Sequence, residues 1–475
     1  MQTEALPEYL RGYSRAQLRV ILESAAVKQV VAAAGSGKTR TVIGLIEHTL
    51  RKRPDDRRRI LLLSFSRRAV GELRQRLPAD LTRGVEISTF HSFCFRWLTS
   101  LDPTARRSGG VRLITEEDKQ EFMRALLAGE TQTPAGDNQA SDADPPELDV
   151  GGIPFALLFK DPARFRRQFP EVAFEVFRRF YAYKRESGLL EYEDLVQRML
   201  AGLRQGVPGV ETLRARYQMI VVDEFQDTDP QQLEFLRLMN PPRLTVVGDD
   251  WQAIYAFRGA TVAPFLNFRD VFAGVRIFRL AENYRSLRPI VRLGNRLIRA
   301  SRRQLRKRVR AVRGPGPGLP VLAYAIAPGQ ESRLLPFCAD LGPEFRILVR
   351  TNFRRQRWLL AGFAPEQVLT IHKAKGLEFP VVFVDLIGGW SESDPGGGGN
   401  STAGSSPPDE EVRVLYVAAS RAENLLVILR NPFARNGARE EWYWKKLCEP
   451  NRVREVQDRA LRKWLGREAE YRKSR

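Results

Sequence analysis

The chain has 475 residues, with Lys+Arg 77 against Asp+Glu 56 for a formal net charge of +21, and 43% of it is hydrophobic. That length calls for more than one domain and supplies enough apolar residues for real cores, while the excess of positive charge favours a polyanionic partner, because Lys and Arg contacts to phosphates release counterions. Three widely separated cysteines, Cys94, Cys338 and Cys448, exclude a zinc or iron–sulfur cage and suit reduced, buried thiols in a cytosolic protein. Charge alone leaves ribosomal proteins, nucleases and membrane-surface proteins open. The start of the chain carries Glu4 and Glu8 with no apolar run, so no signal peptide is expected. No stretch approaches the roughly 20 apolar residues needed to span a bilayer. A cytoplasmic protein with no membrane partner is expected.

Taken in chain order, several segments repeat one pattern: an apolar run, a short polar turn, then a helical period. The run 27–34 leads into residues 35–39 and a helical stretch with Val42, Leu45 and Ile46. The run 60–65 precedes a helical stretch carrying Val70, Leu73 and Leu77. The run 219–222 ends at Asp223 and Glu224, and the run 244–247 ends at Gly248, Asp249 and Asp250. Near-continuous apolar runs are what strands buried on both faces look like, and their alternation with helices implies parallel sheets wound by right-handed crossovers. The runs 347–349, 381–385 and 425–429 repeat the signal, so a second α/β unit is expected. Segments 129–152 and 388–408 read as loops, and 313–320 as a Gly/Pro connector. Residues 301–313, with Arg302, Arg303, Arg306, Lys307, Arg308, Arg310 and Arg313, either touch phosphates or form a solvated helix face. The tail 452–475 reads as an amphipathic helix on Val456, Leu461, Trp464 and Leu465.

Between an apolar run and a helix stands Ala34-Gly35-Ser36-Gly37-Lys38-Thr39, the context a phosphate-binding loop requires. Glycines let the backbone curl so that its N–H groups face phosphates, and the helix N-terminus adds positive potential. Lys38 is placed to reach the β- and γ-phosphates and Thr39 to ligate Mg²⁺; Arg40 follows in the same nucleotide-binding stretch. Ala32 stands where the loop's first glycine is usual. Downstream, Asp223 and Glu224 close an apolar strand. Adjacent acids there suit a carboxylate that holds a Mg²⁺-bound water followed by a base that takes the proton of the attacking water.

With Asp223-Glu224-Phe225-Gln226-Asp227-Thr228 and Gly248-Asp249-Asp250-Trp251-Gln252-Ala253-Ile254-Tyr255, the loop resembles the UvrD/Rep/PcrA family of superfamily 1 helicases. Further motifs follow in family order: Thr89-Phe90-His91-Ser92, Tyr192-Glu193-Asp194-Leu195, Phe257-Arg258-Gly259-Ala260, Asn283-Tyr284-Arg285-Ser286, the segment Thr370-Ile371-His372-Lys373-Ala374-Lys375-Gly376-Leu377-Glu378-Phe379, and Leu415-Tyr416-Val417-Ala418-Ala419-Ser420-Arg421-Ala422. The resemblance implies an α/β protein of two RecA-like parallel-sheet P-loop domains with a helical accessory insertion (1B) in the first. Residues 1–100 plus 191–280 would form the ATP-binding domain 1A, 101–190 domain 1B, and 281–475 domain 2A with a basic helical tail. It also implies ATP and Mg²⁺ as cofactors, and single-stranded DNA and single/double-strand junctions as partners, with repair proteins possible as others. The activity implied is a 3′→5′ translocase or helicase serving repair, replication or recombination.

The resemblance assigns roles that spacing cannot. Gln17 matches the glutamine that reads adenine, Tyr284 the aromatic that stacks on it, and Glu378 an acid on the ribose side. Gln252 matches the γ-phosphate sensor, and Arg285 and Arg421 match two arginine fingers, as suits a side chain that keeps its charge and offers bidentate donors to the transferring phosphoryl. Phe65, Tyr255 and Phe257 match strand-stacking aromatics, although Phe65 and Phe257 suit core packing as well. Thr89 stands in a motif of the same path, and His91, His372 and Arg258 match residues that line it.

One departure stands out. In the family a large accessory domain, 2B, lies between a strand followed by Arg-Thr-Asn and the Thr-Ile-His motif. Here Arg350-Thr351-Asn352 is followed almost at once by Thr370-Ile371-His372, leaving room for one helix and a turn. The 2B insertion is therefore expected to be absent, which puts strong duplex unwinding in question but not translocation. Two other functions stay open: the motor subunit of a repair nuclease complex, its nuclease on a separate chain, and a non-hydrolysing DNA-binding clamp.

Overall fold

The computed structural model describes residues 6–101, 112–127, 158–159, 162–256, 261–388, 390, 409–433 and 453–473. These fall into two compact units, Met1–Ser88 with Ala215–Leu233 and Asn240–Arg475, and Thr89–Arg214 with Glu234–Met239. The loops expected at 129–152 and 388–408, except residues 388 and 390, lie outside the described residues, as does Cys448.

The apolar runs become strands because each is covered on both faces. In the first unit β1 (Val27–Ala32), β2 (Arg59–Ser64), β3 (Val85–Thr89), β6 (Tyr217–Val222), β7 (Leu244–Gly248) and β8 (Arg276–Leu280) form a six-stranded sheet of order β3-β2-β6-β7-β1-β8. Two short strands, β4 (Arg112–Leu113) and β5 (Leu189–Leu190), belong to the other unit. β1 pairs in parallel with β7 and with β8, and β6 pairs in parallel with β2 and β7. Every residue of β6 and β7 is buried, which explains their lack of apolar–polar alternation. The ends of β1, β6 and β7 therefore lie side by side, and these carry the glycine loop, Asp223-Glu224 and Asp249-Asp250. A crevice at the carboxyl ends of parallel strands is where such sheets place ligands.

After β9 (Glu282–Asn283), which pairs with β10 (Arg310–Ala311), comes a second sheet. Strands β11 (Val321–Ala325), β12 (Phe345–Val349), β13 (Val368–Thr370), β14 (Phe379–Leu386), β15 (Ala422–Arg430) and β16 (Arg454–Val456) lie in the order β13-β12-β14-β15-β11-β16, with every recorded pairing parallel. Its two faces separate by a period of two. Val381, Phe383, Leu425, Val427 and Leu429 enter one core, and Val382, Val384, Leu426 and Ile428 enter the other. A smaller core joins elements of both sheets, with Ala33, Ala34 and Trp251 packed among Val291, Ile298, Val309, Val412 and Tyr416. Two parallel α/β sheets agree with the expected pair of RecA-like domains.

Between β12 and β13 the chain makes one helix, Asn352–Leu360, and a turn, and β13 returns directly to pair with β12. Arg354 and Trp358 of that helix bind the Asp385 carboxylate at 2.9 and 2.8 Å. The tail departs from the expected single helix over 452–475: Val456 ends strand β16, and helix Asp458–Lys473 follows, its Leu461 and Leu465 joining the core of Val381, Phe383 and Leu425. Gly318 (φ +68) lies under it, since a Cβ there would stand 1.6 Å from the Trp464 ring. The segment 301–309 differs from the helix-face alternative: no helix forms there, and Lys307 is buried. Its counter-charges, Asp249 and Asp250, lie 58 and 57 residues away in the chain, beyond the reach of a local reading.

The second unit is mainly helical. Helices Glu116–Leu127, Pro162–Gln168 and Pro170–Glu186 bury Phe122, Phe165, Val176 and Phe180 together. Lys184, nearly buried, is neutralised by Glu191 at 2.6 Å and Asp194 at 2.8 Å.

Candidate active site

Gly35 (φ 65) and Gly37 (φ 77) place the glycine loop in the left-handed region, which side chains with a Cβ rarely adopt. Space forbids a Cβ as well: it would stand 2.7 Å from the Arg285 Cβ at Gly35 and 2.7 Å from Gln17 Nε2 at Gly37. Helix Lys38–Lys52 starts at Gly37 with no side-chain cap, so its first N–H groups remain for a ligand. The buried Ser36 Oγ has no protein partner. An orphaned hydroxyl beside uncapped amides fits a polyanion of the size of a triphosphate.

Lys38 Nζ donates to Glu224 Oε1 at 3.0 Å, and Gln226 Nε2 donates to Glu224 Oε2 at 2.5 Å. Glu224 itself sits at φ 55, which costs a non-glycine residue about 1–2 kcal/mol. The Asp223 carboxylate holds it there by accepting the Glu224 N–H at 3.0 Å. Burial would raise the Glu224 carboxyl, but Lys38 and Lys375 outweigh it and keep the group ionised. Asp223 moves the other way, raised first by burial and then by the neighbouring Glu224 charge. A divalent cation would relieve that repulsion, and Mg²⁺ ordinarily takes one or two carboxylates plus substrate phosphates. Asp223 and Thr39 line the same cleft, so the donor set fits the metal.

Two arginines face these groups, Arg421 from the turn before β15 and Arg285 from the turn after β9. Arg421, 1% exposed, donates to the Val417 and Leu377 carbonyls at 3.1 and 3.0 Å and to Gln252 Oε1 at 2.9 Å. Burial, then the nearby Arg285 charge, holds Arg421 down to about 9, which leaves it charged at neutral pH. Arg285 pairs with Glu378 at 2.5 Å. Tyr284 is half exposed; its N–H donates to the Gly35 carbonyl at 2.8 Å and its hydroxyl to Glu282 at 2.5 Å. Gln17 is engaged already, its Nε2 donating to the Ser36 carbonyl at 3.1 Å and its Oε1 accepting the Ser14 N–H at 3.0 Å. Arg40 is exposed and lies over the Tyr13 ring.

Gln17, Gly35, Ser36, Gly37, Lys38, Thr39, Arg40, Asp223, Glu224, Gln252, Tyr284, Arg285, Glu378 and Arg421 all line one cleft of about 590 Å³, within the range of small-molecule sites. Ala34 sits just behind it and accepts the Asn283 side-chain amide at 2.8 Å. Arg68, Glu72 and Arg76 also line the cleft and were passed over in the sequence, although their spacing puts them on one helix face. Lys375, which its motif marks with no role of its own, acts here through its contacts. It pairs with Asp227 at 2.5 Å and the Gln252 carbonyl at 2.7 Å, and burial still pushes Asp227 up to about 6.

Of the aromatics expected on the strand path, Phe65 and Tyr255 stack on each other with centroids 5.1 Å apart. Lys375 lies 4.6 Å over Tyr255, and His372 is 5.9 Å from it. Burial and the Arg350 charge lower the His372 pKa, so the ring is neutral at physiological pH. Thr89 and His91 fall in the second unit, where Thr89 bonds Ser92 at 2.9 Å and His91 meets the edge of Tyr192. Phe257 and Arg258 lie outside the described residues.

Residues 13–273 match the UvrD/REP helicase N-terminal domain, and residues 366–431 the UvrD-like helicase C-terminal domain. The chain is 30% identical over 376 residues to the ATP-dependent DNA helicase UvrD2 of Mycobacterium bovis, covering 72% of this chain and 52% of the relative. It is 26% identical to a putative ATP-dependent DNA helicase, YjcD, of Bacillus subtilis, covering 72% of this chain and 46% of that protein. A probable DNA helicase of Mycoplasma pneumoniae is 26% identical, with 85% of this chain and 80% of the relative covered. The chain thus spans about half the length of two of these relatives and most of the third. Among the described residues no helix is long and apolar enough to cross a membrane.

Proposed function

The chain belongs to the UvrD/REP helicase family, and from that membership we propose that it is a cytoplasmic motor that hydrolyses ATP to move 3′→5′ along single-stranded DNA. One observation carries the reading: Lys38, Asp223, Glu224 and Gln252, set by the first sheet, share a single cleft with Arg421, which precedes β15 of the second sheet, and with Arg285, which follows β9 and donates to the Ser420 carbonyl beside Arg421. A cleft built that way makes hydrolysis depend on how the two sheets approach each other, the requirement for turning phosphate chemistry into movement.

The chain's own groups divide the work. Lys38 pairs with Glu224 at 3.0 Å. A triphosphate in the glycine loop takes Lys38 for its β- and γ-oxygens and frees Glu224 to accept the proton of the attacking water. Asp223 and Thr39 would hold Mg²⁺, which when bound neutralises charge on the phosphates. Arg285 and Arg421 stabilise the equatorial oxygens of the transferring group, and Gln252, held by Arg421, reports the terminal phosphate. The three-domain division at 1–100 plus 191–280, 101–190 and 281–475 is the reading we adopt for the family's 1A, 1B and 2A. The single helix Asn352–Leu360 between β12 and β13 supports a 2A domain without a 2B insertion.

The test is ATP hydrolysis with and without single-stranded DNA, with directional movement and strand displacement read on the same substrates. Stimulated hydrolysis and 3′→5′ movement with weak unwinding are expected. Hydrolysis indifferent to DNA would end the motor reading, and equally strong unwinding by the lone protein would end the account of the missing insertion.

Tyr255 stacks on Phe65 and has the Lys375 ammonium 4.6 Å from its ring centroid, an aromatic pair beside a cation of the kind that binds a single strand. Tyr255→Ala is expected to weaken single-strand binding by about 1–3 kcal/mol, roughly 5- to 150-fold in Kd. Fluorescence titration with an oligonucleotide measures it, and an unchanged Kd would return Tyr255 to a packing role.

A further inference from the structure

The basic segment 301–313 sends one side chain inward. Lys307, at 1% side-chain exposure, gives its ammonium to Asp249 Oδ1 at 2.5 Å and to Asp250 Oδ1 at 2.7 Å, and both carboxylates are fully buried. The Trp251 ring lies 4.6 Å from the same nitrogen. The second oxygen of Asp250 accepts the Leu305 N–H at 2.7 Å, so the main chain of the segment is tied to the same turn. Two adjacent carboxylates out of water call for a counter-cation in contact, and Lys307 supplies it.

The consequence runs through Asp249. Its Oδ1 is used by Lys307, and its Oδ2 accepts the Nε2 of Gln252. An amide whose nitrogen is held has its oxygen direction fixed too, and Gln252 Oε1 faces Arg421 Nη2 at 2.9 Å. A line of charge-assisted contacts therefore leads from Lys307 through Asp249 and Gln252 to Arg421.

We propose that Lys307 is the positioning residue of the Gln252 sensor: carried on the chain between helix Arg288–Leu297 and β10, it clamps Asp249 so that the glutamine keeps one orientation, Oε1 on Arg421 and Nε2 on Asp249, with its second amide hydrogen left to donate to the terminal phosphate. This rests on reading Gln252 as that sensor. Lys307 touches no nucleotide; it sets the direction of a group that does. Because Val309 and Trp251, each two residues along the chain from Lys307 and Asp249, meet in the core shared by the two sheets, the clamp also ties the sensor's aim to the approach of the sheets.

The test is a double-mutant cycle in the full chain, reading DNA-stimulated ATPase kcat, KM for ATP and thermal unfolding. Lys307→Met is expected to lower stimulated kcat about tenfold or more with KM for ATP within about threefold. In a Gln252→Ala background the same substitution is expected to change kcat by less than about twofold, because two residues acting through one contact are not additive. Asp250→Asn keeps the Lys307–Asp249 contact and is expected to lower the unfolding temperature while holding kcat within about threefold. If Lys307→Met does not fold, the Lys307→Met, Asp250→Asn pair, with one fewer buried charge, carries the same comparison. Equal kcat losses with and without Gln252 would overturn the proposal and leave Lys307 a purely structural ion pair. A Gln252→Ala enzyme with undiminished kcat would instead remove the sensor reading beneath it.

Discussion

Glu224→Gln is expected to lower ATPase turnover by about 10²–10⁴-fold, the range for loss of a positioned general base, while ATP binding is kept or tightened. The geometry gives both halves of that result. Glu224 is ionised, held down by Lys38 and Lys375, and aimed into the cleft by a left-handed backbone that its side chain does not otherwise favour. Glutamine keeps the shape and still accepts from Gln226, but takes no proton. It also releases Lys38 from an ion pair of 3.0 Å, so the loop meets the phosphates with its cation already free. Phosphate release under steady-state conditions reads the first effect, and titration with a fluorescent nucleotide reads the second. Normal turnover in this variant would show that another group accepts the proton.

Arg421→Lys carries the second large effect, a loss of about 10³-fold or more in kcat, as for removal of an arginine finger. Charge is retained, so the loss isolates geometry. Arg421 presents separate nitrogens to Val417, Leu377 and Gln252 at once, a fork that a single ammonium cannot reproduce. KM for ATP is expected to move little, since the guanidinium is held by the Val417 and Leu377 carbonyls and by Gln252. A thermal melt of the same preparation separates lost chemistry from lost packing. A kcat within threefold of the parent would assign the finger to Arg285 alone.

Much of this site was legible before any coordinates, because the chemistry forces short, local patterns. A loop that offers amides to phosphate needs glycines at fixed places, and acids that work on metal and water stand at the end of a buried strand. What could not be read were partnerships across the chain. Lys307 sits in a run of arginines and looks like any of them; only the pair of buried carboxylates at the end of β7 selects it. Gln17, matched to base reading, also caps helix Arg15–Leu22 and bonds the Ser36 carbonyl, a double use that no motif encodes. Phe65 illustrates the remaining ambiguity: its strand-end position suited a base platform or the core, and the structure gives it Tyr255 as a stacking partner.

The way the second sheet is closed bears on how the polypeptide is made. The first sheet has its last strand once β8, ending at Leu280, has been synthesised. β11 must wait for β15 and then β16, made roughly 100 residues later, an interval of about 5–20 s at translation speeds of about 5–20 residues per second. Throughout that time a short apolar strand has two unsatisfied edges, a template for pairing with another nascent chain. The late arrival of Leu461 and Leu465 finishes the hydrophobic layer over it. Biogenesis of this protein is thus vulnerable in its second half, where holdase chaperones would matter most.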